Sequence, residues 1–244
     1  MDQLIEVEID RYVAIVTLNR PEVMNALNAQ MRTRLAEVLL ELNLNVRVSA
    51  VVLTGNGRAF CAGLDLVELR ESAEDLAREG VIGANLLKAL DDMRCPVIAA
   101  VNGYAITGGL ELALRCDVIV ASSDAVFADT HARVGILPAW GVSQILPRVI
   151  GPFRAKELSL SGSKIDAQLA YEWGLVNRIF EPDRLLAAAI GIASDMATCN
   201  RKAQHAIKGL IDTGLRLPLE EGLSLEQEAS VNAYRVASSQ VNSD

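Results

Sequence analysis

The chain has 244 residues, 51% of them apolar, which is enough to fill one large core. Its formal net charge of −8 excludes a protein whose whole surface tracks nucleic acid or anionic lipid, so an anionic ligand must be met by local donors. The N-terminal Met1-Asp-Gln-Leu-Ile-Glu-Val-Glu8 has neither a basic n-region nor an apolar h-region, and no apolar run reaches spanning length, so a cytoplasmic protein is expected. Cys61, Cys95, Cys116 and Cys199 stand singly without C-x-x-C spacing and read as small buried hydrophobes.

Alternation in Leu4–Ile9 and the run Val13–Leu18 predict two strands joined by a turn at Asp10-Arg11. Met31, Leu35, Val38, Leu39 and Leu42 form a helical stripe with Asn28 as its N-cap. Ala50–Thr54 is the next strand, ended by Gly55-Asn-Gly57. The charged segment from Glu68 to Asp92 reads as helical with loose ends. Pro96–Val101 and Asp117–Ala121 are apolar at successive positions, as strands buried on both faces should be, and imply a parallel, helix-covered sheet of α/β type.

From Phe153 onward the pattern is helical: Phe153–Ser161, Asp166–Trp173 stopped by Gly174, Asp183–Thr198, Asn200–Leu215, and a last helix from Pro218. A short strand, Val176–Phe180, interrupts them. The apolar positions Leu219, Leu223 and Leu225 can pack on their own core or on another subunit, and periodicity leaves both open.

The most informative stretch is Val101–Asp117, which sets Gly108-Gly109 and one glutamate between two strand-like runs. Glycines at a loop-to-helix junction let backbone N–H groups approach a ligand oxygen, and the helix N-terminus adds partial positive charge. Glu111 then sits one turn in. Its neighbours Leu110, Leu112, Ala113 and Leu114 are apolar, which favours a buried functional carboxylate over a solvated one. A second loop, Phe60-Cys-Ala-Gly-Leu-Asp-Leu66, also leaves the carboxyl end of a predicted strand, where ligands bind in open α/β sheets. The N–H groups of Leu64 and Gly108 can converge on one carbonyl oxygen as an oxyanion hole.

These residues resemble the crotonase, or enoyl-CoA hydratase/isomerase, superfamily. The similarity runs through Asn19-Arg-Pro, Asn25-Ala-Leu-Asn28, Phe60–Asp65, Val101-Asn-Gly-Tyr-Ala, Gly108–Ala113, Cys116-Asp117 and Gly135-Ile-Leu-Pro138, then weaker signals to about residue 210. Each piece is weak alone, but their order and spacing are specific. The resemblance implies an α/β fold, a spiral of β-β-α units over residues 1–190, with a helical C-terminal oligomerisation region over 191–244 that builds a trimer or dimer of trimers.

It further implies an acyl-CoA thioester held by the N–H groups of Leu64 and Gly108, with Ala62, Gly63, Asp65, Leu66, Gly109 and Trp140 as expected substrate-binding residues. Asp65 has a second reading as the N-cap of the following helix. Family hydratases use two glutamates to hold water. Glu111 matches the first, whereas His131 stands at the position of the second, in Phe127-Ala-Asp-Thr-His-Ala-Arg-Val-Gly135. An imidazole can serve as general acid or base, or it can simply line an altered pocket. Where the family usually has a glycine-rich turn, this chain has Pro138-Ala-Trp-Gly-Val142, so Trp140 either packs in the core or re-aims the acyl pocket. The family's closing helix usually continues past Ser243-Asp244 with basic residues, so no CoA phosphate contact is assigned there.

The expected activity is cofactor-free hydration of a fatty or aromatic enoyl-CoA, coenzyme A being part of the substrate, with Glu111 and His131 as the acid–base pair. An enoyl-CoA isomerase or other enolate chemistry, and a non-catalytic acyl-CoA binding protein, are the alternatives. No metal, nucleotide redox cofactor, nucleic-acid or membrane partner is indicated. His205, beside Lys202 and Lys208, reads as a solvated face residue.

Overall fold

The computed structural model describes residues 4–71 and 75–241, which form two compact units, Met1–Thr198 and Cys199–Asp244. In the first unit, β1 (Ile5–Asp10) and β2 (Val13–Leu18) pair antiparallel through the expected turn, where Arg11 takes a left-handed φ of 52°. Helix α1 (Ala29–Leu44) starts where Asn28 accepts a hydrogen bond from the Met31 N–H, and it buries Met31, Leu35, Val38, Leu39 and Leu42 as its spacing requires.

The expected central strands are β3 (Ala50–Gly55), β5 (Val97–Val101) and β7 (Val118–Ser122). They lie parallel, side by side, in a six-stranded sheet that β1, β2 and β10 (Arg178–Phe180) complete. Successive residues feed two different cores. Val51, Leu53, Val97, Ala99 and Val101 join the larger cluster, while Ala50, Val52, Ile98 and Ala100 face a smaller one. Helix α9 (Leu185–Ala197) closes that second face with Leu185, Ala189 and Ala193. This two-sided burial is why these strands read as unbroken apolar runs. Helix α9 also spans residue 190, so the expected boundary there falls inside a helix of the first unit.

A second sheet was not legible in the sequence. It consists of β4 (Ala59–Cys61), β6 (Tyr104–Ile106), β8 (Val126–Ala128) and β9 (Lys164–Asp166), in that order. Each strand has only three residues, too few to display an alternation. Their middle residues, Phe60, Ala105, Phe127 and Ile165, all enter the larger core. Strands β3, β5 and β7 of the first sheet are each followed by β4, β6 and β8 of the second, so the chain repeats strand, strand, helix while advancing by one strand per turn. That is the spiral of β-β-α units, and it stacks the loops leaving β4 and β6 over one another.

Helices α2 (Leu66–Glu71) and α3 (Asp75–Asp91) fill most of the expected helical segment from Glu68 to Asp92, whose residues 72–74 lie outside the described ones. After β8 come α5 (His131–Val134), α6 (Val142–Ile150), α7 (Pro152–Ser161) and α8 (Ala167–Glu172), the last capped by Asp166. The second unit is helical, with α10 (Arg201–Gly214) and α11 (Leu219–Val241); Ser243 and Asp244 lie outside the described residues. Cys61 and Cys95 are buried and Cys116 is half-buried, but Cys199 is exposed, contrary to the expectation that all four are buried. No described helix is long and apolar enough to cross a membrane.

Candidate active site

Helix α4 (Gly108–Leu114) begins against the loop that follows β4, and its glycines are required by that approach. A Cβ on Gly109 would stand 2.0 Å from the Cys61 carbonyl oxygen, and one on Gly63 would stand 2.9 Å from the Ile106 carbonyl oxygen. Gly63 also has a φ of 97°, which a side chain rarely allows. A Cβ on Gly108 would lie 3.4 Å from the Leu64 nitrogen, directly beside its N–H. Thr107, immediately before the helix, has a φ of 54°, unusual for a β-branched residue. It is held there by its N–H donating to the Ala128 carbonyl and by its hydroxyl, 2.5 Å from that of Thr130.

Among the hydrogen bonds of the described residues, neither the Leu64 nor the Gly108 N–H has an acceptor within the chain. Their neighbours do: Leu27 N–H donates to the Gly63 carbonyl, Asp65 N–H to the Leu27 carbonyl, and Ala62 N–H to the Met24 carbonyl. The loop is thus pinned on both sides of one free donor. Asp65 holds this loop: one carboxylate oxygen accepts from Arg20 at 3.1 Å and the other from the Val67 N–H at 3.1 Å, opening α2. Both oxygens are therefore engaged within the chain, and the bond from the Val67 N–H is the one an N-cap makes. Leu66 is exposed and Ala62 half-buried beside it.

One turn into α4, Glu111 is buried, with 2% exposure. Its Oε1 accepts from the N–H groups of Trp140 (3.0 Å) and Val142 (3.2 Å). Its Oε2 lies 3.7 Å from Nε2 of His131, which is itself 6% exposed. Burial pushes the Glu111 carboxyl upward, and the two N–H groups and the His131 ring only partly offset that. On the far side of the ring, Nδ1 is 2.6 Å from Oδ1 of Asp129. Burial by itself would raise Asp129, but hydrogen bonds from the His131 ring, from Ser159 and from the His131 N–H outweigh it and hold this carboxyl below its usual range.

Sequence reasoning named Glu111 and His131, and the structure brings them together; it missed Asp129. The signal available was the spacing Asp129-Thr-His131, which lets a carboxylate turn back on a ring two residues later. Trp140 is buried at 5% exposure, with its indole nitrogen against Gly83 of α3, where a Cβ would come within 2.5 Å. Its side chain packs in the core, and its main chain reaches the site. Gly141, with a φ of 110°, makes the turn that lets the N–H groups on both sides of it converge on one oxygen.

Two adjacent backbone donors, with a buried carboxyl–imidazole pair one helical turn away, define a protein equipped to polarise a carbonyl oxygen and to move a proton beside it. Residues 8–243 match the family model described as enoyl-CoA hydratase/isomerase, and the chain belongs to that family. It is 39% identical over 224 residues to probable enoyl-CoA hydratase 1, peroxisomal, of Arabidopsis thaliana, covering 91% of this chain and 83% of that protein. It is 37% identical over 219 residues to the short-chain-enoyl-CoA hydratase of Clostridium acetobutylicum, covering 89% and 84% of the two chains. The crystal structure of enoyl-CoA hydratase from Bacillus anthracis superposes with a TM-score of 0.91 at 35% identity, covering 96% of this chain and 92% of that one.

Proposed function

We propose that the protein binds a trans-2-enoyl-CoA thioester and adds water across its double bond. The observation that carries this reading is the buried pair Glu111 Oε2 and His131 Nε2, 3.7 Å apart, set beside the free N–H groups of Leu64 and Gly108. That distance is too long for a direct hydrogen bond, but one water oxygen fits at about 2.8 Å from both atoms. The thioester oxygen takes the two N–H groups, which stabilise the enolate that forms as the β-carbon is attacked.

The proton inventory closes if the pair shares one proton. Glu111, as carboxylate, takes a proton from the attacking water while its oxygen bonds to the β-carbon. His131, protonated at Nε2, gives its proton to the α-carbon. Afterwards the shared proton is on Glu111 instead of His131, and its return to Nε2 resets the site. Coenzyme A arrives as part of the substrate, and the chemistry needs no further cofactor. Hydratase names among relatives covered over most of their length support this reading.

The test is loss of the enoyl chromophore with short-chain and medium-chain trans-2-enoyl-CoA, run beside Glu111→Gln and His131→Ala. Turnover in the parent and its loss in both variants supports the hydratase. Conversion of 3-enoyl to 2-enoyl thioester without hydration would replace it with the isomerase. Tight binding without either reaction would leave an acyl-CoA binding protein.

We further propose a trimer or dimer of trimers as the working form. Exposed apolar side chains support this in each unit taken by itself: Phe153 and Leu160 on α7 of the first, Leu219, Leu223 and Tyr234 on α11 of the second. Light scattering of the purified protein checks it, and a monomer at micromolar concentration would rule it out.

A further inference from the structure

We propose that Asp129 is a positioning residue that fixes the proton of His131 on Nδ1 and so keeps Nε2 as the nitrogen that works opposite Glu111. This rests on the hydratase reading for its consequence, but not for its geometry. Oδ1 of Asp129 lies 2.6 Å from Nδ1 and also accepts the His131 backbone N–H at 3.3 Å. A turn of this kind needs only the backbone bond; the ring contact is additional and shorter. A carboxylate can only accept, so a ring nitrogen this close must carry the proton. Nε2 is then bare in the neutral ring and protonated only in the cation. A bare Nε2 and Oε2, 3.7 Å apart, are two acceptors that one intervening water bridges by donating to both.

Among the described residues, the charged groups facing the ring are Asp129, just after β8, and Glu111, on α4. Ser159 of α7 donates to Asp129. Arg133, on the same short helix as His131, turns away to the Ser161 carbonyl. The three side chains therefore form a line, Asp129 to His131 to Glu111. A lone imidazole replacing a carboxylate could present either nitrogen to the substrate. The neighbour two residues upstream removes that choice.

Isotope labelling makes the tautomer directly readable. The chain has two histidines, and His205 is exposed, so ¹⁵N-histidine spectra in a His205→Asn background report His131 alone. The expected result for the parent is a protonated Nδ1 in the neutral ring. In Asp129→Asn the protonated share at Nδ1 should fall and that at Nε2 rise. With enoyl-CoA, kcat of Asp129→Asn should drop on the order of ten- to a hundredfold with KM little changed. A parent ring protonated at Nε2 and bare at Nδ1 overturns the proposal, and that spectrum decides it even if Asp129→Asn does not fold. An unchanged tautomer in a folded Asp129→Asn overturns it as well. A parent with the expected tautomer and no hydration would instead sink the hydratase reading and leave the clamp standing.

Discussion

The guanidinium of Arg115 grips the carbonyl oxygen of Trp140 through Nε at 3.1 Å and Nη2 at 2.9 Å, while the Trp140 N–H donates to Glu111. The other end of the guanidinium meets both carboxylate oxygens of Asp91 at 3.0 Å. Asp91 ends α3, Arg115 caps α4, and the Trp140 peptide carries their geometry to Oε1 of Glu111. A flexible ammonium cannot reproduce this planar fork. Arg115→Lys should therefore lower kcat about tenfold and stability by about 1–2 kcal/mol, since both carbonyl bonds are charge-assisted and partly solvent-screened. Steady-state kinetics with thermal melts check this; an unchanged kcat would disconnect Arg115 from the site.

The two glycines that open α4 should fail in different ways. A Cβ at position 109 meets the backbone oxygen of Cys61 at 2.0 Å, and backbone cannot step aside. Gly109→Ala should lose several kcal/mol and fail to accumulate as folded protein. At position 108 the nearest atoms are the Gly63 Cα at 3.3 Å and the Leu64 nitrogen at 3.4 Å, a tight but survivable contact. Gly108→Ala should fold and yet lose about 10²–10³ in kcat, because its methyl group stands beside the Leu64 donor. Circular dichroism beside turnover separates the two. Equal activity of a folded Gly108→Ala and the parent would remove these N–H groups from the chemistry.

The pH dependence of stability should carry opposite signs at the two buried carboxyls. Burial raises Glu111 above its ordinary 4.5. A raised carboxyl contributes fully below its unfolded value and loses that contribution as pH rises through its folded value. The Tm of Glu111→Gln relative to the parent should therefore improve as pH climbs above 4.5. Asp129 lies below its ordinary 3.8, because hydrogen bonds to His131 and Ser159 outweigh burial. Its contribution is present above 3.8 and lost as pH falls through the folded value, so Asp129→Asn should be costly at neutral pH and converge on the parent in acid. Melts across about pH 3 to pH 8 decide both, and pH-independent gaps would contradict them.

How much of this was legible in the sequence follows from element length and from how far each interaction reaches. Val51 to Leu53 and Val97 to Val101 announced themselves because burial on two faces leaves no polar residue in a strand. Phe60 and Phe127 are just as buried, yet their three-residue strands carry no period, and the second sheet stayed hidden. Asn28 was readable as a cap because its partner is three residues away. Asn25 stands out in the sequence only as part of the Asn25-Ala-Leu-Asn28 motif. Its role, donating to the carbonyls of Asn56 and Ala59 while accepting from the Arg20 N–H, spans turns of the spiral that no local pattern encodes. Likewise, Glu111 was visible from its apolar neighbours, whereas its anchoring by Trp140 and Val142 depends on a loop about thirty residues later.

Gly83 offers a test in which local propensity and tertiary packing disagree. It lies inside α3, where alanine ordinarily favours a helix by about 1 kcal/mol. A Cβ there would stand 2.5 Å from the Trp140 indole nitrogen and 3.1 Å from the adjoining ring carbon. The obstacle is a rigid ring buried to 5% exposure, so it cannot swing clear as the end of a long chain could. Overpacking of this kind costs about 1–3 kcal/mol, which outweighs the gain in propensity. Gly83→Ala should therefore destabilise the protein and, by displacing Trp140, loosen the bond from its N–H to Glu111. Lower kcat with little change in the melt would indicate that the ring yields by moving the site; a lower Tm with kcat intact would mean that α3 yields instead. A stabilised, fully active Gly83→Ala would show that helix propensity wins and that Trp140 has room the structure does not give it.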